Sequence, residues 1–191
     1  SSGLTPLVLL FLLTFAATRA GRARKQRAGL AESRRGRTAA QVLANLAAAA
    51  LFAACAALPA GVLQRHAAAA CLAALAEATA DTVSSELGQA FGGTPRMVLT
   101  LRPVPPGTDG AVSLLGTVSG VAGAAAIAML GATALSLGHT AALGVLAAGT
   151  AGFLLDSLLG ATLERAGVLG NDLVNFLSTV AAGLLALALK P

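Results

Sequence analysis

Apolar residues gather into six runs, and polar residues fall almost entirely between them. The runs cover residues 4–18, 38–58, 61–80, 111–135, 140–159 and 172–189. A helix that crosses a bilayer needs about 20 mostly apolar residues, so five runs qualify and the first is short. Pro59 and Gly61 mark a turn between the second and third runs, and Gly138 and His139 one between the fourth and fifth. The pattern predicts an all-α fold: a polytopic helical membrane protein of about six transmembrane helices, forming a single transmembrane domain over residues 1–191.

Composition agrees. Hydrophobic residues make up 56% of the chain and charged residues 11%, against roughly a quarter charged in soluble domains. The net charge of +5 would point to nucleic acid in a soluble protein. Here the basic residues cluster beside apolar runs, and no nucleic-acid partner is expected. Eight of the thirteen lie within residues 19–37, "RAGRARKQRAGLAESRRGR". The positive-inside rule makes this a basic cytoplasmic loop. Alternation then brings Arg96, Arg102 and Arg165 to the same side, leaving Arg65 and Lys190 opposite. Trp and Tyr are absent, so basic side chains replace the usual aromatic anchors. Cys55 and Cys71 sit in apolar runs without metal or redox spacing and read as small core residues.

The acids follow the same bias. Glu32, Glu77, Asp81, Glu86, Asp109, Asp156, Glu164 and Asp172 all fall at or near the cytoplasmic side. The positive-inside rule does not require this of acids, so a site on that face is expected.

Four stretches carry the candidate chemistry. In "EATADTVSSELG", Glu77 and Asp81 share a helical face and Glu86 follows. This is a cation or phosphate site, or else a solvated helix end. In "PPGTDGAVSLLGT", two prolines fix an extended entry, Gly107 and Gly110 permit unusual backbone angles, and Thr108 or Asp109 can cap a helix from Ala111. Exposed N–H groups at a helix start favour phosphate, with Arg96 and Arg102 upstream as partners. Ser113, Gly116, Thr117 and Gly120 continue as a small polar stripe, and Gly116–Gly120 also suits close helix packing. The third stretch places Asp156 at a helix end and Asn171, Asp172, Asn175 and Ser178 on a polar face entering the membrane. Binding and interhelical hydrogen bonding both fit it. The fourth, "RRGRTAAQVLAN", runs a polar line from the basic loop through Arg37, Gln41 and Asn45. Residues 108–118 also align without gaps to 170–180, each preceded by an Asp-Thr or Asp-Ser helix, which points to a parallel internal repeat.

Taken in order, "ATADTVSSELG", "RPVPPGTDGAVSLLGT" and "DSLLGAT…GNDLVNFLST" resemble the signatures of the membrane family that contains transmembrane protein 19 and plant phytyl-phosphate kinase. "GRTAAQVLAN" is similar to a further motif of that family. The resemblance covers the core from about residue 36 onward. It implies an enzyme of the cell (plasma) membrane, active at the cytoplasmic face, that phosphorylates a prenyl monophosphate with a nucleoside triphosphate, CTP in related kinases. On that resemblance Asp81, Glu86, Asp156 and Asp172 would be catalytic and hold Mg²⁺. Gly107, Thr108, Gly110, Ser113, Asn171 and Asn175 of the same motifs, together with Arg37, Gln41, Asn45, Arg96 and Arg102 from the residue pattern, would bind nucleotide or phosphate. The expected partners are the bilayer and an isoprenoid lipid phosphate, with a homodimer left open. The Walker A pattern is absent from the sequence, so this is no P-loop kinase. A lipid-phosphate cytidylyltransferase would use the same parts. A transporter or ion-binding carrier is the rival class, though acids confined to one face fit a carrier poorly.

Overall fold

The computed structural model describes residues 2–30, 38–58 and 62–190. Six helices account for most of it: α1 (Thr5–Arg27), α2 (Ala39–Ala56), α3 (Val62–Phe91), α4 (Leu114–Ala134), α5 (His139–Leu159) and α6 (Asn171–Leu189). Two short antiparallel strands, β1 (Arg96–Met97) and β2 (Ala111–Val112), stand between α3 and α4. Five helices are long and apolar enough to cross a membrane, α5 being counted through Glu164. The sixth is α3. It is 30 residues long, about 45 Å at helical rise, and it packs against each of the other five.

The distribution of side-chain sizes explains the packing. Alanines of α3 from Ala69 to Ala80 are almost wholly buried, joined by Ala124, Ala128, Ala148 and Ala182. Large apolar side chains such as Phe11, Leu43, Leu51, Leu130, Leu143 and Leu184 face outward. A soluble bundle would bury the leucines. Lipid is as apolar as leucine, so in a membrane the inner faces instead carry small residues that let backbones approach closely. Gly116 and Gly120 of α4 show this directly. A Cβ on either would lie within 2.9 Å of a backbone carbonyl of α3, that of Ser84 or Ala80. The packing role read for this pair in the sequence is the one the structure gives it.

Several boundaries differ from the hydropathy runs. α1 continues nine residues beyond Thr18, so residues 19–27 are helix rather than loop. Ala, Arg, Lys and Gln are strong helix formers, and helical propensity persists where hydropathy ends. α3 likewise runs on to Phe91, which leaves Glu77 and Asp81 well inside the bundle. α4 starts later than expected. Its N-cap is Ser113, whose Oγ accepts from the Gly116 N–H at 3.1 Å, not Thr108 or Asp109. Residues 111–112 pair as strand instead, Arg96 with Val112 and Met97 with Ala111. Beyond α5 the chain widens into a π-helical turn, Gly160–Glu164. The turn expected at Pro59 and Gly61 lies outside the described residues.

Candidate functional site

The helices alternate strictly. α1, α3 and α5 end, and α2, α4 and α6 begin, around one cavity of about 290 Å³. Its wall is polar, although the surrounding bundle is built of alanine and leucine.

α3 supplies Asp81, Thr82, Ser84, Ser85 and Glu86 to the wall, and α5 supplies Asp156 and Ser157. Asp156 lies within electrostatic reach of Asp81 and of Glu164 in the π-helical turn. The Ser178 hydroxyl of α6 donates to Asp156 Oδ2 at 3.1 Å. It also stands 3.0 Å from the Asn175 carbonyl. Beneath them Glu77 is 1% exposed, and its two carboxylate oxygens have no hydrogen-bond partner among the described residues. Acids at such depth are costly and usually face a partner or a function.

The glycine loop closes one side. Gly107 and Gly110 hold φ of 84° and 70°, the left-handed region that disfavours side chains. Thr108 Oγ1 donates to the Pro105 carbonyl at 2.7 Å and fixes the turn. Gly110 rests directly on the backbone of Ala161 in the π-helical turn, leaving no room for a Cβ. The widened turn and the glycine loop therefore fit each other, and Asp109 and Glu164 reach the cavity from the two sides.

α2 opens with a capping box. Gln41 N–H donates to Thr38 Oγ1 at 3.3 Å, and Thr38 N–H to Gln41 Oε1 at 2.7 Å. Asn45 Nδ2 donates to the Gln41 carbonyl at 2.9 Å. Its Oδ1 is buried without a partner among the described residues, at the cavity wall. Asn171 and Asn175 enter from the first turns of α6, four residues apart and therefore on one face.

Most of the expected site residues meet here: Gln41, Asn45, Asp81, Glu86, Gly107, Thr108, Gly110, Ser113, Asp156, Asn171 and Asn175 all line the cavity. Three do not. Asp172 is exposed on the outside of the first turn of α6, because one residue turns a helix by about 100° away from Asn171. Arg96 is exposed, and its guanidinium donates to the Leu101 carbonyl at 2.8 Å. Arg102 is also exposed. Arg37 lies outside the described residues. Among the described residues, the basic group that lines the cavity is Lys25, in the last turn of α1. It is 3% exposed and forms an ion pair with Glu86, itself 5% exposed. In the sequence Lys25 is one of eight basic residues in a short span, and only the course of α1 singles it out.

Among the described residues no three His, Cys, Asp or Glu side chains form a ready cage for a metal ion. Of the four expected acids, Glu86 is paired with Lys25 and Asp172 lies off the cavity wall, while Asp81 and Asp156 both line it.

A small-residue bundle of six helices, greasy outside and polar at one end, is an integral membrane protein. The chain belongs to the family described as integral membrane protein DUF92, which matches residues 1–183, and so is a member of the transmembrane protein 19 group that its motifs resemble. An uncharacterized membrane protein of Synechocystis is 33% identical over 98% of this chain and 74% of its own length. Protein VTE6, chloroplastic, of Arabidopsis thaliana is 31% identical over the whole chain. An uncharacterized membrane protein of Methanocaldococcus jannaschii is 41% identical over 60% of it. The chain spans 59% of the length of VTE6 and 48% of the Methanocaldococcus protein. No solved structure matches it.

Proposed function

We propose that the protein is a phosphotransferase that converts a prenyl monophosphate to its diphosphate at the cytoplasmic face, with CTP as donor. The observation that supports this best is the cavity itself: paired acids, a left-handed glycine loop and three helix starts at one end of a lipid-facing bundle. Phosphoryl transfer asks a protein mainly to position phosphates and neutralise their charge. The similarity to VTE6 and the motifs shared with the phytyl-phosphate kinase group supply the acceptor class.

In this reading the glycine loop and the N-termini of α4 and α6 hold phosphate oxygens through backbone N–H groups. Asp81 and Asp156 offer the all-oxygen donors that Mg²⁺ takes. Mg²⁺ usually binds through one or two carboxylates plus substrate phosphates, so a preformed cage is not needed. When bound, it would supply charge neutralisation for the transferring group. The lipid phosphate oxygen attacks the γ-phosphorus, the bond from that phosphorus to the bridging oxygen breaks, and CDP leaves. The isoprenoid tail stays among the outward leucines.

The test is direct. Purified protein in nanodiscs, given CTP, Mg²⁺ and phytyl or geranylgeranyl phosphate, should form the prenyl diphosphate and CDP. Release of pyrophosphate with CMP left on the lipid would instead identify a cytidylyltransferase. No product from a panel of nucleotides and prenyl phosphates, with a folded sample, would remove the proposal.

A further inference from the structure

Among the described residues the cavity wall carries five acids, Asp81, Glu86, Asp109, Asp156 and Glu164, against one base, Lys25. That base and Glu86 are both at least nine-tenths buried and are paired with each other. A buried ion pair contributes little net stability, because desolvation offsets most of the attraction. The pair is also built in with care. Gly21 lies one helical turn before Lys25 on the same face of α1, where a Cβ would meet Ala90 and come within 3.3 Å of the Glu86 carbonyl. The missing side chain lets α1 lie on the end of α3, and four residues later Lys25 reaches Glu86. The Arg24 guanidinium, 4.8 Å over the Phe91 ring, clamps the same two helix ends.

We infer that Lys25 is the phosphate-binding cation of this cavity, and that Glu86 is its resting counter-charge, not a metal ligand. This rests on reading the cavity as a phosphate site. The ligand class is an oligophosphate, which three ammonium N–H donors can hold by charge-assisted hydrogen bonds. Arg96, Arg102 and Arg165 are exposed and do not line the cavity, so among the described residues Lys25 is the basic side chain that can meet a phosphate from the wall. Glu86 keeps the ammonium paired until an anion displaces it.

The two roles for Glu86 give opposite signs. The probe is inorganic pyrophosphate, titrated by calorimetry into the full chain in nanodiscs at a series of Mg²⁺ concentrations, with no nucleotide or lipid substrate. Lys25→Met should weaken binding at least about tenfold, the worth of one hydrogen bond to a charged group. Glu86→Gln should tighten it, because Lys25 is freed and one repelling charge is gone, and should leave the Mg²⁺ requirement unchanged. Removing one partner strands a buried charge and threatens the fold, so the double variant Lys25→Met/Glu86→Gln is made as well. Folded, it should bind as weakly as Lys25→Met. Weaker binding by Glu86→Gln with a raised Mg²⁺ requirement would make Glu86 a metal ligand and overturn the inference. Wild-type affinity in the folded double variant would overturn it too, as would no pyrophosphate binding by the wild type. If pyrophosphate binds through Lys25 but no prenyl phosphate is phosphorylated, the proposed reaction fails and this assignment stands.

Discussion

The two halves of α3 have opposite characters. From His66 to Ala76 the helix is a run of alanines broken by Cys71, Leu72 and Leu75, packed against α4, α5 and α6 with little exposed surface. From Glu77 to Phe91 the same helix carries three acids, two threonines and two serines, and Glu77, Thr79, Thr82 and Glu86 are buried. Burying polar groups is costly without partners. A helix needed only as a central spacer would repeat the first half. The second half therefore exists for what it holds, and the two ends of the bundle should respond differently to substitution.

The largest difference is expected from the acids. Asp81→Ala and Asp156→Ala should each lower prenyl-phosphate phosphorylation by roughly a thousandfold, the scale of several kcal/mol of transition-state charge stabilisation. Thermal unfolding should change far less than turnover, since both side chains line the cavity. Loss of activity together with collapse of the fold would mean that these residues are structural, and the contrast between the halves would fail.

Glycine substitutions divide the halves more finely. A Cβ at Gly131 would come within 2.6 Å of Leu72 Cδ2, in the alanine half. Gly131→Val should cost about 1–3 kcal/mol of stability through overpacking, with turnover preserved in the folded fraction. Gly116 faces the polar half, where a Cβ would lie 2.9 Å from both the Ser84 carbonyl and Ser113 Oγ. Gly116→Val should cost similar stability and also activity, because it disturbs the cap of α4 at the cavity. Denaturation by detergent or heat, scored beside turnover per folded molecule, separates the two.

Ser178→Ala probes the junction. It removes the hydroxyl that donates to Asp156 Oδ2 at 3.1 Å. A hydrogen bond to a charged group contributes about 1.5–3 kcal/mol, so turnover should fall about tenfold or more. The half-saturating Mg²⁺ concentration should rise with it, because the Asp156 carboxylate loses its orientation. An unchanged Mg²⁺ dependence would argue that Asp156 does not meet the metal.

Much of this is legible in the sequence. Hydropathy alone located every helix, and the one-sided acids located the cavity end. What it missed came from three physical causes. Hydropathy is blind to helices built of Arg, Lys and Gln, so α1 stopped at Thr18 and Lys25 stayed hidden in a charge run. A two-residue strand leaves no periodicity, so the cap moved from Thr108 or Asp109 to Ser113. The positive-inside rule sets orientation but not direction, so Arg96 and Arg102 were placed on the right end yet face outward. Glu77 shares a helical face with Asp81 in the sequence, but its depth in the bundle shows only in the fold.

The smallest effect tests the finest distinction. Asn171 and Asp172 are adjacent, and an acid looks the better candidate from sequence. α6 nevertheless turns Asn171 and Asn175 to the cavity and leaves Asp172 exposed. Asp172 sits in the first turn of α6, where a negative charge favours the helix dipole by about 0.3–1 kcal/mol. Asp172→Asn should therefore lower stability slightly and leave turnover and Mg²⁺ dependence near wild type. Asn175→Ala, three residues on and buried, should impair nucleotide binding clearly. If Asp172→Asn instead matches Asp156→Ala in its loss of turnover, α6 must rotate or slide when substrates bind, and the division between its cavity face and its outer face would have to be redrawn.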